Sequence, residues 1–225
     1  MGQLIELKAA DGFTSQAYVA QPEGTPRGAM VIVQEIFGLN HHMKAVADLY
    51  ASEGYLSIAP AFFDRVERGI DLGYTPQDIE TARAQMGKVD MDKVMLDVAA
   101  AVAHVKGAGK VGMVGYCWGG RVCWISAAKV DGVSATVSYY GGGVPGLADL
   151  NAKCPTMFHW GELDHAIPLD TVAAFVAKHP EAAATSFVYE GAQHGFNCDE
   201  RGSWNEASAK LARSRTMEFL RKHVG

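Results

Sequence analysis

The chain has 225 residues, 48% of them hydrophobic and 20% charged, and a formal net charge of −5. Those proportions belong to a soluble globular protein large enough to bury a sizeable core. The acidic balance, with no basic cluster along the chain, leaves no case for nucleic acid, and no apolar run approaches the roughly 18 residues that span a bilayer.

Met1 to Lys8 lacks the apolar core of a secretion signal, and Glu6 stands where a myristoylation pattern needs Ser or Thr. The four cysteines, Cys117, Cys123, Cys154 and Cys198, are irregularly spaced with no C-x-x-C. Neither a zinc site nor a disulfide framework is expected from them, and a reducing cytoplasm is the expected location. A monomer is expected over an oligomer, with no membrane partner.

Taken in order, Gln3 to Lys8 and Gln16 to Ala20 read as strands joined around the turn dipeptide Asp11-Gly12. Ala29 to Gln34 is uniformly apolar up to its last residue, as expected of a parallel strand covered on both faces. It runs into Glu35-Ile36-Phe37-Gly38-Leu39-Asn40. A helix from His41 to Glu53 follows, then a strand from Tyr55 to Ala59. The segment from about 62 to 88 is less regular and more charged, with a helix start at Thr75-Pro76. It is expected to cap the site. Asp90 opens an amphipathic helix through Lys106, and Lys110 to Val114 is a further buried strand. Beyond it, strands are expected at Ala135 to Tyr140, Thr156 to Trp160 and Thr185 to Tyr189. Helices are expected at Arg121 to Ala128, Asp170 to Lys178 and Ser203 to Lys222, the last with Trp204, Ala207, Leu211, Met217 and Leu220 inward. Alternating strands and helices imply right-handed crossovers in one α/β domain spanning 1–225. A mostly parallel sheet of about seven or eight strands with helices on both faces is expected.

The chemistry centres on Gly115-Tyr116-Cys117-Trp118-Gly119-Gly120. A strand entering G-x-C-x-G and leaving as a helix is a nucleophile elbow, the signature of the α/β-hydrolase fold, with cysteine where serine is usual. The glycines permit a turn too tight for a Cβ, and the sulfur lies at a helix N-terminus that favours a thiolate. In such sheets the chemistry gathers at the carboxyl ends of the strands. The polar residues just past those ends are Glu35, Cys117, Tyr139, Asp164 and His194. His194 follows the last strand and fits a general base, while Asp164 can accept its other N–H, with Glu162 as rival. Cys, Asp and His then come in the hydrolase order. The backbone amides of Ile36 and Trp118 are the expected oxyanion hole. Trp118 and Tyr139 either wall the pocket or belong to the core. On residue type alone Glu35 reads as a strand-end ion-pair partner.

Five stretches, G-Y-C-W-G-G, Q-E-I-F-G-L-N, S-Y-Y-G, G-E-L-D-H and G-A-Q-H-G-F, together resemble the dienelactone hydrolase family over nearly the whole chain. The resemblance implies Cys117, Asp164 and His194 as the triad. It also implies that Glu35 contacts the resting thiol and releases it when substrate binds. Members that act on a lactone carboxylate hold it with arginines and a tyrosine. Ala82, Met86 and Cys198 stand at those positions here, and Arg83 and Arg201 are the neighbouring candidates for the clamp. The implied reaction is acyl transfer through a cysteine thioester, with a small lactone or ester as substrate and no metal or organic cofactor. The alternatives are a carboxylesterase or thioesterase of other specificity, or a silent hydrolase-fold protein used for binding or thiol redox sensing.

Overall fold

A computed structural model describes residues 2–225. Eight strands form one sheet in the order β1-β2-β4-β3-β5-β6-β7-β8. β1 (Gln3–Lys8) and β2 (Thr14–Ala20) make an antiparallel hairpin at one edge. β2 also runs antiparallel to β4 (Tyr55–Pro60). From β4 onward the pairing is parallel, through β3 (Gly28–Val33), β5 (Val111–Tyr116), β6 (Val133–Tyr139), β7 (Thr156–Gly161) and β8 (Ser186–Tyr189).

β3, β5 and β7 are buried at every position, as strands covered on both faces must be. The period-two alternation assigns their faces. Met30 and Ile32 join the cluster containing α1 (His41–Ser52) and α6 (Glu206–His223). Ala29, Val31 and Val33 join the cluster under α3 (Met91–Val105) and α4 (Trp118–Lys129). α5 (Leu169–Lys178) lies beyond β7, where Phe175 packs edge-on against Phe158 and Trp124.

The segment between β4 and α3 holds a short turn at Phe62–Arg65 and α2 (Pro76–Met86). Thr75 caps α2 with a reciprocal Asp78 bond, and Pro76 opens its first turn. The segment is tied to the loop after β3. Leu72 N–H donates to the Phe37 carbonyl at 3.0 Å, and Asn40 Nδ2 donates to the Leu72 carbonyl at 3.0 Å.

The final helix departs from the sequence expectation. It starts after the N-cap Asn205, whose side chain accepts from the Ser208 amide, so Trp204 lies before it and is 39% exposed. Ala207 and Leu211 face solvent; Ala209, Ala212, Thr216 and Leu220 face the sheet with Met217. The phase follows Thr216, whose hydroxyl meets Tyr139 Oη at 2.7 Å and His159 Nε2 at 2.9 Å inside the core. A hydroxyl that completes two buried polar groups outweighs one exposed leucine.

Candidate active site

β5 ends at Tyr116 and α4 begins at Trp118, so Cys117 is the whole turn between them. Its φ of 55° lies in the left-handed region, which costs a residue with a Cβ. The neighbouring glycines give it room. A Cβ on Gly115 would sit on the Gly119 carbonyl, and one on Gly119 would sit on the Val33 and Gln34 carbonyl oxygens. β3 and α4 therefore touch backbone to backbone beneath the sulfur. The Cys117 amide donates to the Tyr139 carbonyl at 3.0 Å, fixing the turn to the end of β6.

His194 and Asp164 come from the loops after β8 and β7. His194 Nδ1 lies 2.7 Å from Asp164 Oδ2, and the Asp164 side chain is fully buried. The other oxygen, Oδ1, accepts from the Ala166 amide at 2.9 Å. A carboxylate held at both oxygens fixes the imidazole with Nε2 turned outward. Glu162, the rival, accepts from the Gly191 amide at 2.8 Å instead.

Cys117 lies close enough to act on His194. Burial alone would push the imidazole's pKa down, but the Cys117 charge and the Asp164 and Cys117 hydrogen bonds outweigh it and raise it to about 10. The other cysteines are quiet. Burial pushes Cys154 up to about 11 and Cys198 up to about 12, and holds Cys123 far above its ordinary value, so all three stay thiols.

Among the described residues, the backbone amides of Ile36 and Trp118 have no protein acceptor. The Trp118 ring packs edge-on against Phe63, with centroids 5.2 Å apart, and belongs to the core on the α3–α4 side.

Glu35 is buried. Its Oε1 accepts from Arg201 Nη1 at 2.8 Å, and Oε2 has no protein partner. Among the described residues no Glu35–Cys117 hydrogen bond is formed, since the one bonded oxygen of Glu35 goes to Arg201. Arg201 is held over the Phe37 and Tyr74 rings, and its guanidinium fills the space a Cβ on Gly195 would take. Arg83, the other arginine singled out by sequence, is exposed on α2, and its side chain makes no hydrogen bond or ion pair with the described residues.

Tyr139 does not wall this site. It is the last residue of β6, and its hydroxyl reaches Thr216 in the core. Its successor takes that place. Tyr140 adopts φ 37°, breaks the strand alternation, and turns its ring edge-on to His194 with centroids 5.2 Å apart. Its buried hydroxyl has no partner. The doublet S-Y-Y-G marks the place in the sequence without saying which tyrosine turns in. Tyr74, whose hydroxyl accepts from Asn40 at 3.2 Å and faces the Cys198 sulfur, carried no sequence signal at all.

The sequence profile of the dienelactone hydrolase family matches residues 15–224. The chain belongs to that family. A carboxymethylenebutenolidase from Pseudomonas putida is 32% identical over 229 residues, 96% of this chain and 94% of the relative. A Synechocystis protein provisionally given the same name is 33% identical over 226 residues, 92% of this chain and 91% of that one. A crystal structure from Klebsiella pneumoniae, provisionally named a dienelactone hydrolase, superposes with a TM-score of 0.83 at 28% identity and covers 99% of this chain and all of its own. As a member of the family, the protein is an α/β-fold hydrolase acting on esters or lactones. Among the described residues no helix is long and apolar enough to cross a membrane.

Proposed function

We propose that the protein opens the lactone ring of a carboxymethylenebutenolide-type substrate through a Cys117 thioester. The observation that carries this reading is the 2.7 Å His194–Asp164 pair beside a cysteine held in a left-handed turn. Cys117 Sγ, as thiolate, attacks the lactone carbonyl, and the amides of Ile36 and Trp118 stabilise the oxyanion. Collapse of that intermediate breaks the ring C–O bond, and the His194 imidazolium gives its proton to the departing oxygen. Neutral His194 then takes a proton from water, whose oxygen attacks the thioester. The carboxylic acid forms and the Cys117 thiolate leaves, paired again with protonated His194. These steps draw on no cofactor.

Glu35 and Arg201 form the charged floor of the proposed pocket. Arg201 is the cation placed to meet a substrate carboxylate, with Nη1 on Glu35 and its face on two aromatic rings. Arg83, exposed on α2, has no part in it. The segment 62–88, bonded to the loop after β3, serves as the cap of a single domain, and the free thiols fit a reducing cytoplasm.

Hydrolysis of a dienelactone and of simple p-nitrophenyl esters by wild type and Cys117→Ala tests the reading. Cysteine-dependent turnover favouring the dienelactone is expected. Cysteine-dependent turnover of plain esters alone would keep the mechanism and discard the substrate, leaving a general carboxylesterase.

A further inference from the structure

Among the described residues other than glycine, only Cys117 and Tyr140 hold a left-handed backbone, at φ 55° and 37°. They are neighbours in space. Tyr116 and Tyr139 face each other in the parallel register of β5 and β6, so the two strained residues are the next ones out of paired strands. The Cys117 amide donates to the Tyr139 carbonyl at 3.0 Å, and the Tyr140 amide donates to the His159 carbonyl on β7 at 2.7 Å. A residue with a Cβ keeps such angles only where its surroundings over-determine them, and such residues gather at sites of function. The strain at Cys117 presents the sulfur. The strain at Tyr140 presents a ring.

That ring is fully buried and stands edge-on to the His194 imidazole, with centroids 5.2 Å apart and planes at 63°. Two further rings hold it. Phe196, two residues past His194, meets it edge-on at 5.4 Å, and Tyr116, the residue before the nucleophile, lies 6.2 Å away. The Tyr140 hydroxyl is enclosed and makes no bond. Burial, with the charges of Glu35, Cys198 and Cys117, keeps the phenol protonated against the opposing pull of Arg201. A phenol with neither partner nor access passes no proton, so what this residue offers the site is its ring.

His194 has use for such a support. Asp164 fixes its Nδ1 at 2.7 Å, but a single hydrogen bond leaves the imidazole free to swing about it. A group that carries a proton between two fixed atoms tolerates little swing, since misplacement by about 1 Å costs about a hundredfold in rate.

Resting on the reading of Cys117 and His194 as nucleophile and base, we propose that Tyr140 is a positioning residue for His194. Its ring blocks the swing of the imidazole about the Asp164 bond and keeps Nε2 turned to the Cys117 sulfur. It also keeps water from the charges of Cys117, His194 and Asp164, which act more strongly on one another without it.

The test follows the His194 ring protons by NMR across pH in substrate-free wild type, Tyr140→Leu and Tyr140→Phe, and so needs no turnover. The Cys117 sulfur and the Asp164 carboxylate are the charged groups that act on the imidazole, and together they hold its pKa up at about 10. Loosened from both, His194 in Tyr140→Leu is expected to titrate about one pH unit lower. Lost packing alone would lower the melting temperature and leave the titration in place. Tyr140→Phe, which returns the ring without the hydroxyl, is expected to restore the titration. With p-nitrophenyl acetate as substrate, Tyr140→Leu is expected to lower kcat about tenfold with little change in KM, and Tyr140→Phe to recover it. An unmoved titration in a folded Tyr140→Leu overturns the proposal, as does a lowered titration with kcat unchanged. Should Tyr140→Leu not fold, Tyr140→Phe decides alone: a titration lowered by about one unit gives the role to the hydroxyl and overturns it. The expected shifts in a chain without cysteine-dependent turnover would keep the role of Tyr140 toward the imidazole and discard the hydrolytic reading.

Discussion

A carboxylate buried as deeply as Glu35 persists because Arg201 occupies one of its oxygens at 2.8 Å. Removing the cation strands the charge, and stranding a buried charge costs far more than the pair itself is worth. Arg201→Met is expected to lower stability by about 3–5 kcal/mol, and Glu35→Gln with Arg201→Met to recover most of it, read from urea midpoints. The imidazole of His194 makes the second residue-scale case. Its pKa of about 10 depends on the charge and hydrogen bond of Cys117 as well as on Asp164. Cys117→Ala is therefore expected to bring the His194 titration down sharply, as followed by NMR of the ring protons. Because the folded-state value lies above the unfolded 6.5, this group stabilises the native state fully below pH 6.5. The contribution fades as pH rises through about 10.

At the scale of elements, α4 and β3 meet through glycine. Gly119→Ala would drive a methyl group into the Val33 and Gln34 carbonyl oxygens, next to the loop that carries the Ile36 amide. An overpacking cost of about 1–3 kcal/mol is expected, with a fall in kcat larger than any change in KM because the proposed oxyanion donors move. Contacts of this kind were legible in the sequence, since G-x-C-x-G between an apolar strand and a helix admits few other geometries. The succession of strands and helices along the chain, the hairpin at Asp11-Gly12 and the placement of Cys117, Asp164 and His194 past strand ends were legible for the same reason, but the order of strands across the sheet was not. What the pattern could not carry was rotation. Whether Tyr139 or Tyr140 turns toward His194 depends on where β6 leaves its alternation, and the partner that holds Tyr139 in the core, Thr216, lies on a helix 77 residues away. The same hydroxyl sets the face of α6 and so displaces Leu211, whereas Trp204 was misplaced because the helix begins only after Asn205. The Glu35–Arg201 pair spans 166 residues and leaves no local trace.

Over the molecule as a whole, the sheet encloses a polar thread in an apolar core. Tyr139 meets Thr216, Thr216 meets His159, and His159 Nδ1 meets the Tyr189 hydroxyl at 2.8 Å. Burial, helped by Arg215, lowers the His159 pKa from 6.5 to about 3, so the ring is neutral in the native state and charged in the unfolded chain below pH 6.5. Stability is expected to fall as pH drops from about 6.5 toward about 3, by up to about 1.4 kcal/mol per unit, in urea titrations across that range. Thr216→Val is expected to cost about 1–3 kcal/mol at neutral pH by leaving Tyr139 Oη and His159 Nε2 open.

The left-handed turn at Cys117 sets the protein's thermal endurance against its reactivity. Glycine adopts φ 55° freely and alanine does not, so Cys117→Gly is expected to melt above Cys117→Ala, by a margin worth about 1 kcal/mol. Laboratory evolution that rewarded heat resistance alone would be drawn to that glycine, and the survivors would be sturdy proteins with no nucleophile.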